Sequence, residues 1–504
     1  MFLPWLQLLL AAFIDVEETR NMLNLKDPSL LKTRCLIDGA WLDANTGRTL
    51  EVRNPSSGQL LATVPDMGAE ETQRAVDAAQ RAFGSWKLQT AETRAKVLRR
   101  WFALMVEHQD DLAVIMTSEQ GKPLAEARGE ISYAASYIEW FAEEARRLYG
   151  ATIPSPWPDK QLLVTKEPVG VCAAITPWNF PAAMITRKVA PALAAGCTIV
   201  VKPAQQTPLT ALAMAELALR AGVPSGVFSV LTGRAQVIGG VLTASPLVRK
   251  LTFTGSTGIG RILAAQCAPT LKKMSLELGG NAPFIVFDDA DLDAAVEGAM
   301  ASKYRNTGQT CVCANRLLVQ DAVYDRFIEK LKTAVQAMAV GDGMTPGVAQ
   351  GPLIDAPALA KVEELVADAV AHGGKVVTGG KRHALGGTFY EPTIIANAHA
   401  GMRIASEEVF GPVAPIFRFH TEQEAITMAN DTEYGLAAYF YTRDVGRVWR
   451  VSSALAYGMV GINSGIISTA VAPFGGVKQS GLGREGGAIG IEEYVDIKYL
   501  CMAH

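Results

Sequence analysis

Between residues 36 and 54, apolar and polar positions alternate over short runs broken at Asn45-Thr46-Gly47, which predicts short strands joined by a turn. From residue 70 to 83 the spacing becomes helical, with Val76, Ala79 and Phe83 on one stripe. Residues 93–117 continue in the same period and predict a helix that buries Val97, Leu98, Trp101 and Met105. Pro123 opens a further helix to about residue 148, because the first helical turn does not use the amide hydrogen that proline lacks. Pro154, Pro156 and Pro158 make residues 150–158 a connector and a candidate boundary.

Beyond it the grammar changes. Residues 170–176, 198–202, 227–231 and 250–253 are short apolar runs, separated by helical patterns at 182–195 and 209–221 and a short helix after 231. Another helix starts at Thr257, and residues 273–278 lead out of the series. Strands separated by crossover helices predict a buried parallel sheet of the dinucleotide-binding kind. A second α/β region runs from residue 281 to about 474, and a polar, glycine-rich tail closes the chain.

Residues 6–14 are mostly apolar, but no Lys or Arg precedes them and Asp15, Glu17 and Glu18 follow. That fits a signal peptide poorly and is too short to span a bilayer. An extension ahead of the folded body is expected, with Met22 as the true start.

Composition narrows the classes. With 504 residues, 49% apolar and 19% charged, the chain reads as two or three globular domains. A net charge of -3 leaves no basic footprint, so neither nucleic acid nor membrane is an expected partner. Seven cysteines without a framework predict free thiols in a reducing, cytoplasmic setting. No Cys-x-x-Cys pair occurs and no histidine lies near Cys311 or Cys313, so no metal site is expected.

The richest candidate chemistry lies in Arg305-Asn306-Thr307-Gly308-Gln309-Thr310-Cys311-Val312-Cys313. A cysteine among small and polar residues is a candidate nucleophile, though a buried structural thiol has the same local signature. The Gly481-Leu482-Gly483-Arg484-Glu485-Gly486 run matches G-x-G-x-x-G letter for letter. It follows no clear strand and leaves too little chain for a βαβ unit, so it is not a cofactor loop.

Six segments decide between these readings of Cys311. They are Thr176-Pro177-Trp178-Asn179-Phe180, Val201-Lys202-Pro203-Ala204, Phe253-Thr254-Gly255-Ser256-Thr257, Leu276-Glu277-Leu278-Gly279-Gly280, Gly308-Gln309-Thr310-Cys311 and Glu407-Glu408-Val409-Phe410-Gly411-Pro412. In this order they resemble the NAD(P)-dependent aldehyde dehydrogenase superfamily over nearly the whole chain from about Leu36. Met184-Ile185-Thr186-Arg187-Lys188, the Arg305 to Cys313 run and Pro473-Phe474-Gly475-Gly476-Val477-Lys478 are similar to the succinate-semialdehyde dehydrogenases.

The resemblance implies an α/β aldehyde dehydrogenase fold. It has a Rossmann-like cofactor domain (30–145 and 168–278), an α/β catalytic domain (279–478) and an oligomerisation element (146–167 and 479–504). A homotetramer or homodimer is implied. In chemistry it implies Cys311 as the nucleophile, Asn179 with the Cys311 amide as oxyanion donors, and Glu277 as the base that hydrolyses the thioester. Alone, Asn179 would pass for a turn residue and Glu277 for a strand-end carboxylate.

Gly255 and Ser256, between a strand and a helix start, are placed to receive a pyrophosphate. Ser256 or Thr257 would equally cap that helix. Trp178, Pro203, Ala204, Leu278 and Phe410 are implied beside the cofactor, with Lys202 and Glu408 on its riboses. Neutral Gln205, where NAD-preferring relatives often carry Glu, removes a repulsion against a 2′-phosphate; NADP is expected to be preferred and NAD accepted.

Arg187 and Arg305, assisted by Ser468, form the implied clamp for the carboxylate of a semialdehyde; each arginine could also be a surface charge or half of a structural ion pair. Glutarate semialdehyde or a broader range of aldehydes is the alternative substrate. A dehydrogenase that acylates coenzyme A is disfavoured by Glu277, and a silent dinucleotide-binding protein by the intact Cys311, Glu277 and Asn179. Cys313, two residues from Cys311, could form a reversible disulfide with it or simply pack.

Overall fold

A computed structural model describes residues 23–503; the expected extension and start at Met22 lie outside the described residues. Two large sheets and two small ones are present among the described residues, one of the small ones being the two-stranded pair Thr49–Arg53 and Leu60–Pro65.

The first sheet has eight strands. Its parallel centre runs Lys273–Glu277, Val248–Thr254, Val171–Ile175, Thr198–Lys202, Phe228–Val230. Thr198–Lys202 is buried at every position and Val171–Ile175 at all but its last, which is why both read as continuous apolar runs and not as alternating ones. Helices Ala183–Ala195 and Pro208–Arg220 cross between strands, and Arg187 and Lys188 ride on the first of them. The chain enters at Val171–Ile175, steps outward twice, then returns to lay Val248–Thr254 on the other side. That reversal is a topological switch point, where the carboxyl ends of neighbouring strands open a crevice for a ligand. Asn179, Lys202, Ser256 and Glu277 all lie at or just beyond such ends.

The second sheet has seven strands, parallel except for the edge strand Lys375–Thr378. Cys311 sits just before its strand Ala314–Gln320, after helix Leu292–Lys303 and a tight turn. The third sheet pairs Val495–Ala503 with Lys160–Pro168 over nine positions and adds Ala151–Ile153.

Three expectations need correcting. The helix expected over 93–117 is two, Ala91–Glu107 and Gln109–Gln120, because the backbone leaves the helical range at His108 (φ -100°, ψ 20°). Residues 150–158 are not only a connector, since Ala151–Ile153 is a strand. The tail 479–504 does not form one element. Gly481–Leu482 pairs with Leu276 and Glu277 at the edge of the first sheet, and only Val495–Ala503 joins the third. Gly481 (φ +140°) is needed there, because a Cβ would collide with the Leu276 carbonyl. The G-x-G-x-x-G run therefore backs the strand that carries Glu277.

Candidate active site

A narrow pocket opens onto Cys311 between the two large sheets. Arg187, Arg305 and Ser468 line it together with Tyr133, Phe180, Met184 and Phe474. The first three were expected from the sequence. The aromatic and thioether walls were not, because nothing local separates a pocket-lining Phe from a core Phe.

The turn that precedes Cys311 is unusual. Asn306, Thr307 and Gly308 have φ of +51°, +60° and +73°, three left-handed residues in succession. A Cβ on Gly308 would strike the Gly411 carbonyl, so only glycine fits. The turn exposes part of Cys311, while Cys313 is buried with its thiol donating to the Lys303 carbonyl at 3.3 Å. Burial pushes the Cys311 thiol up to about 12, with Arg187 pulling against it.

Asn179 is buried and its Nδ2 donates to the Gln309 carbonyl at 3.0 Å, two residues from Cys311. Glu277 is also buried, and neither carboxylate oxygen has a hydrogen-bond partner among the described residues. Burial, reinforced by the negative charge of Glu485, holds its carboxyl well above the usual range. A Cβ on Gly475 would sit 2.9 Å from Glu277 Oε1, so that glycine keeps the space beside the carboxylate open.

Glu485 is the charged residue that sequence reasoning passed over. It accepts from both Arg187 Nε and Lys188 Nζ. Burial raises its carboxyl, but Lys188 and Arg187 together bring it below its ordinary value. The signal was a lone acid inside the glycine-rich tail, hidden by its match to a motif that did not apply. Arg187 thus has an ion pair on one side, while Nη2 is buried without a partner among the described residues. Its guanidinium lies 3.9 Å from the Phe474 ring centroid, and Arg305, with Nε unpartnered, lies 5.4 Å from that of Phe180.

The residues expected at the cofactor suit a dinucleotide. Gly255 follows Val248–Thr254 and leads into helix Thr257–Cys267, where a Cβ would strike the Phe253 ring. Ser256 occupies the cap position with its hydroxyl unused by the helix, leaving it open to a phosphate. Burial lowers Lys202 to about 8, and no ion pair offsets it among the described residues. An orphaned ammonium of this kind suits ribose hydroxyls. Glu408 accepts from the Gly280 amide at 3.2 Å and is held up at about 7 by burial. Trp178 meets Phe410 edge to face at 5.5 Å, and Leu278 is buried. Pro203 is buried and Ala204 half-buried at the same strand end. Gln205 is exposed and lines a separate open cleft beside Thr49 and Asp355.

A thiol, a paired-amide environment, an unpartnered carboxylate and a crevice at a switch point form the constellation that aldehyde oxidation requires. The family model for the aldehyde dehydrogenase family matches residues 41–500. The chain belongs to the aldehyde dehydrogenase family. This aldehyde dehydrogenase is 65% identical over 480 residues to the glutarate-semialdehyde dehydrogenase of Pseudomonas aeruginosa, covering 95% of this chain and 99% of that one. It is also 65% identical to the NADP(+) succinate-semialdehyde dehydrogenase of Escherichia coli, covering 95% of this chain and 100% of the relative. The crystal structure of succinate-semialdehyde dehydrogenase from Burkholderia pseudomallei matches with a TM-score of 0.95 at 63% identity, over 95% of this chain and 100% of that one.

Proposed function

We propose that this aldehyde dehydrogenase oxidises succinate semialdehyde to succinate with NADP, and less efficiently with NAD, through a thioester on Cys311. The observation that carries the substrate is Arg187, buried in the Cys311 pocket with one guanidinium nitrogen unpartnered and Arg305 beside it. A planar fork held by Glu485 on one side and free on the other suits the far carboxylate of a short semialdehyde.

The chain's own residues divide the work. The Cys311 thiolate attacks the carbonyl carbon, and the Asn179 amide with the Cys311 backbone N–H receives the oxyanion. When bound, the nicotinamide supplies the hydride acceptor. Glu277 then takes a proton from water, which hydrolyses the thioester, and Arg187, Arg305 and Ser468 hold the carboxylate throughout.

Replacing Arg187 with Met raises KM for succinate semialdehyde about 10- to 100-fold, the size of a lost charge-assisted contact, and changes KM for propanal by less than about threefold. Steady-state kinetics on both substrates check this, and equal effects on the two would remove the clamp. Glutarate semialdehyde is the second reading, favoured by the Pseudomonas relative at the same identity. One methylene discriminates by only about 1–3 kcal/mol, so kinetics along a series of chain lengths decide between them.

Gln205 supports the cofactor preference. Gln205→Glu lowers kcat/KM with NADP about tenfold and leaves the value with NAD nearly unchanged, because only the 2′-phosphate meets the new charge. A second copy of the chain is expected on the third sheet, where Ile497, Tyr499 and Met502 stand exposed; a monomer in light scattering would oppose it. A cytoplasmic location belongs to the same reading and is supported by seven free cysteines. No helix among the described residues is long and apolar enough to cross a membrane.

A further inference from the structure

We propose that Asn306 is a positioning residue whose side chain ties the oxyanion donor Asn179 to the turn that presents Cys311. This rests on the roles given above to those two residues. Asn306 is buried and does not line the substrate pocket, so whatever it does for the reaction it does through its neighbours.

Two observations converge on it. Asn306 and Thr307 are held left-handed, a conformation that costs a non-glycine residue about 1 kcal/mol or more unless the surroundings impose it. The surroundings do impose it, because every polar group of the Asn306 amide is engaged. The backbone N–H donates to Glu126 Oε2 at 2.8 Å, and Oδ1 accepts from Gln120 Nε2 at 3.0 Å. Nδ2 donates to the Asn179 carbonyl at 2.9 Å and to the Gln309 carbonyl at 3.1 Å. That orientation is the one the network allows, since a flipped amide would face two carbonyls with its oxygen.

The Gln309 carbonyl is the meeting point. It accepts from Asn306 Nδ2 and from Asn179 Nδ2, so the two side-chain amides converge on one oxygen. The Asn179 carbonyl is gripped a second time by Lys122 Nζ at 2.8 Å. Lys122 is ion-paired with Glu130, whose carboxylate also accepts from the Ala182 and Ala183 amides at 2.9 and 3.2 Å. Asn179 is therefore held on one side by Lys122 and tied on the other to the Cys311 turn by Asn306. The two halves of the acylation machinery come from different sheets, and Asn306 sets their relative position. A displacement of about 1 Å between reacting groups is enough to cost a large rate factor.

Two substitutions separate side chain from backbone. Asn306→Gly keeps the left-handed backbone without strain and removes the amide. Asn306→Asp keeps the shape and replaces two donors with an acceptor. With propanal, so that the outcome does not depend on the semialdehyde assignment, both variants are expected to slow the first turnover of NADPH formation by at least about tenfold. KM for propanal changes by less than about threefold, because ground-state binding is untouched. Alkylation of Cys311 by iodoacetamide, followed by mass spectrometry of its peptide, also changes by less than about threefold, since it needs the thiolate and no oxyanion donor.

Normal first turnover in Asn306→Gly would overturn the proposal, leaving the backbone as the only contribution. So would alkylation that falls in step with turnover, which marks general collapse of the turn. Should both variants fail to fold, Gln120→Leu removes the support of Asn306 Oδ1 from outside the turn. It must then slow the first turnover with the same selectivity, and normal turnover in it overturns the proposal.

Discussion

Cys311→Ala abolishes NADPH formation from every aldehyde, a fall of at least about 10⁴-fold, while NADP binding is retained. The size follows from the chemistry: an aldehyde carbon releases hydride only once a nucleophile has made it tetrahedral, and Cys311 is the thiol in the pocket. Cys313 cannot substitute, being buried with its thiol on the Lys303 carbonyl. The same site has a distinctive pH dependence. Because burial pushes the Cys311 thiol up to about 12, the thiolate is scarce at neutral pH in the free protein. The rate of iodoacetamide alkylation at Cys311 therefore climbs about tenfold per pH unit between about pH 7 and pH 10. A plateau below about pH 9 would mean that some cation holds the thiolate in the free protein, and that the electrostatic account of the turn is wrong.

Glu277→Gln has the second large effect and a different form. The variant gives one equivalent of NADPH per Cys311 and then stalls, with steady-state turnover reduced by about 10²- to 10⁴-fold. In the proposed mechanism acylation uses Cys311 and Asn179, whereas release needs a group to take a proton from water. Glu277 suits that role because neither of its oxygens is engaged elsewhere. Burial and then Glu485 raise its carboxyl well above the usual range, so it reaches its base form at a higher pH than an ordinary carboxylate does. Deprotonation brings the base into its working form, so the release rate rises with pH through that elevated pKa and is lost below it. Rapid-quench measurement of acyl-enzyme at several pH values checks both statements. Sustained turnover in Glu277→Gln, with no accumulated acyl-enzyme, would assign release to another group.

Much of the scaffold could be read from the chain. The strands Val171–Ile175 and Thr198–Lys202 were legible because parallel strands buried on both faces read as apolar runs, five residues in the first and Ile199 to Val201 in the second. Four of the six site segments were legible because they lie where such a run gives way to polar and glycine residues, as at Thr254-Gly255-Ser256. His108 was not legible as a break, since the helices on its two sides keep compatible periodicity and only their packing requires the turn. Nor was the path of Gly481–Leu482 along Glu277, because a two-residue strand has no pattern of its own.

By itself, the sequence determined the alternation of elements, the glycines that turns demand and the residue types available for chemistry, because these depend on neighbours a few positions away. Tertiary structure alone decided that Glu485 shares its charge between Arg187 and Lys188, and that Asn306 and Asn179 meet on the Gln309 carbonyl. Those partners lie 298, 297, 130 and 3 residues apart. Hydrogen bonds and ion pairs act over a few ångströms of space, and separation along the chain carries no record of which distant groups the packed core will bring to that range.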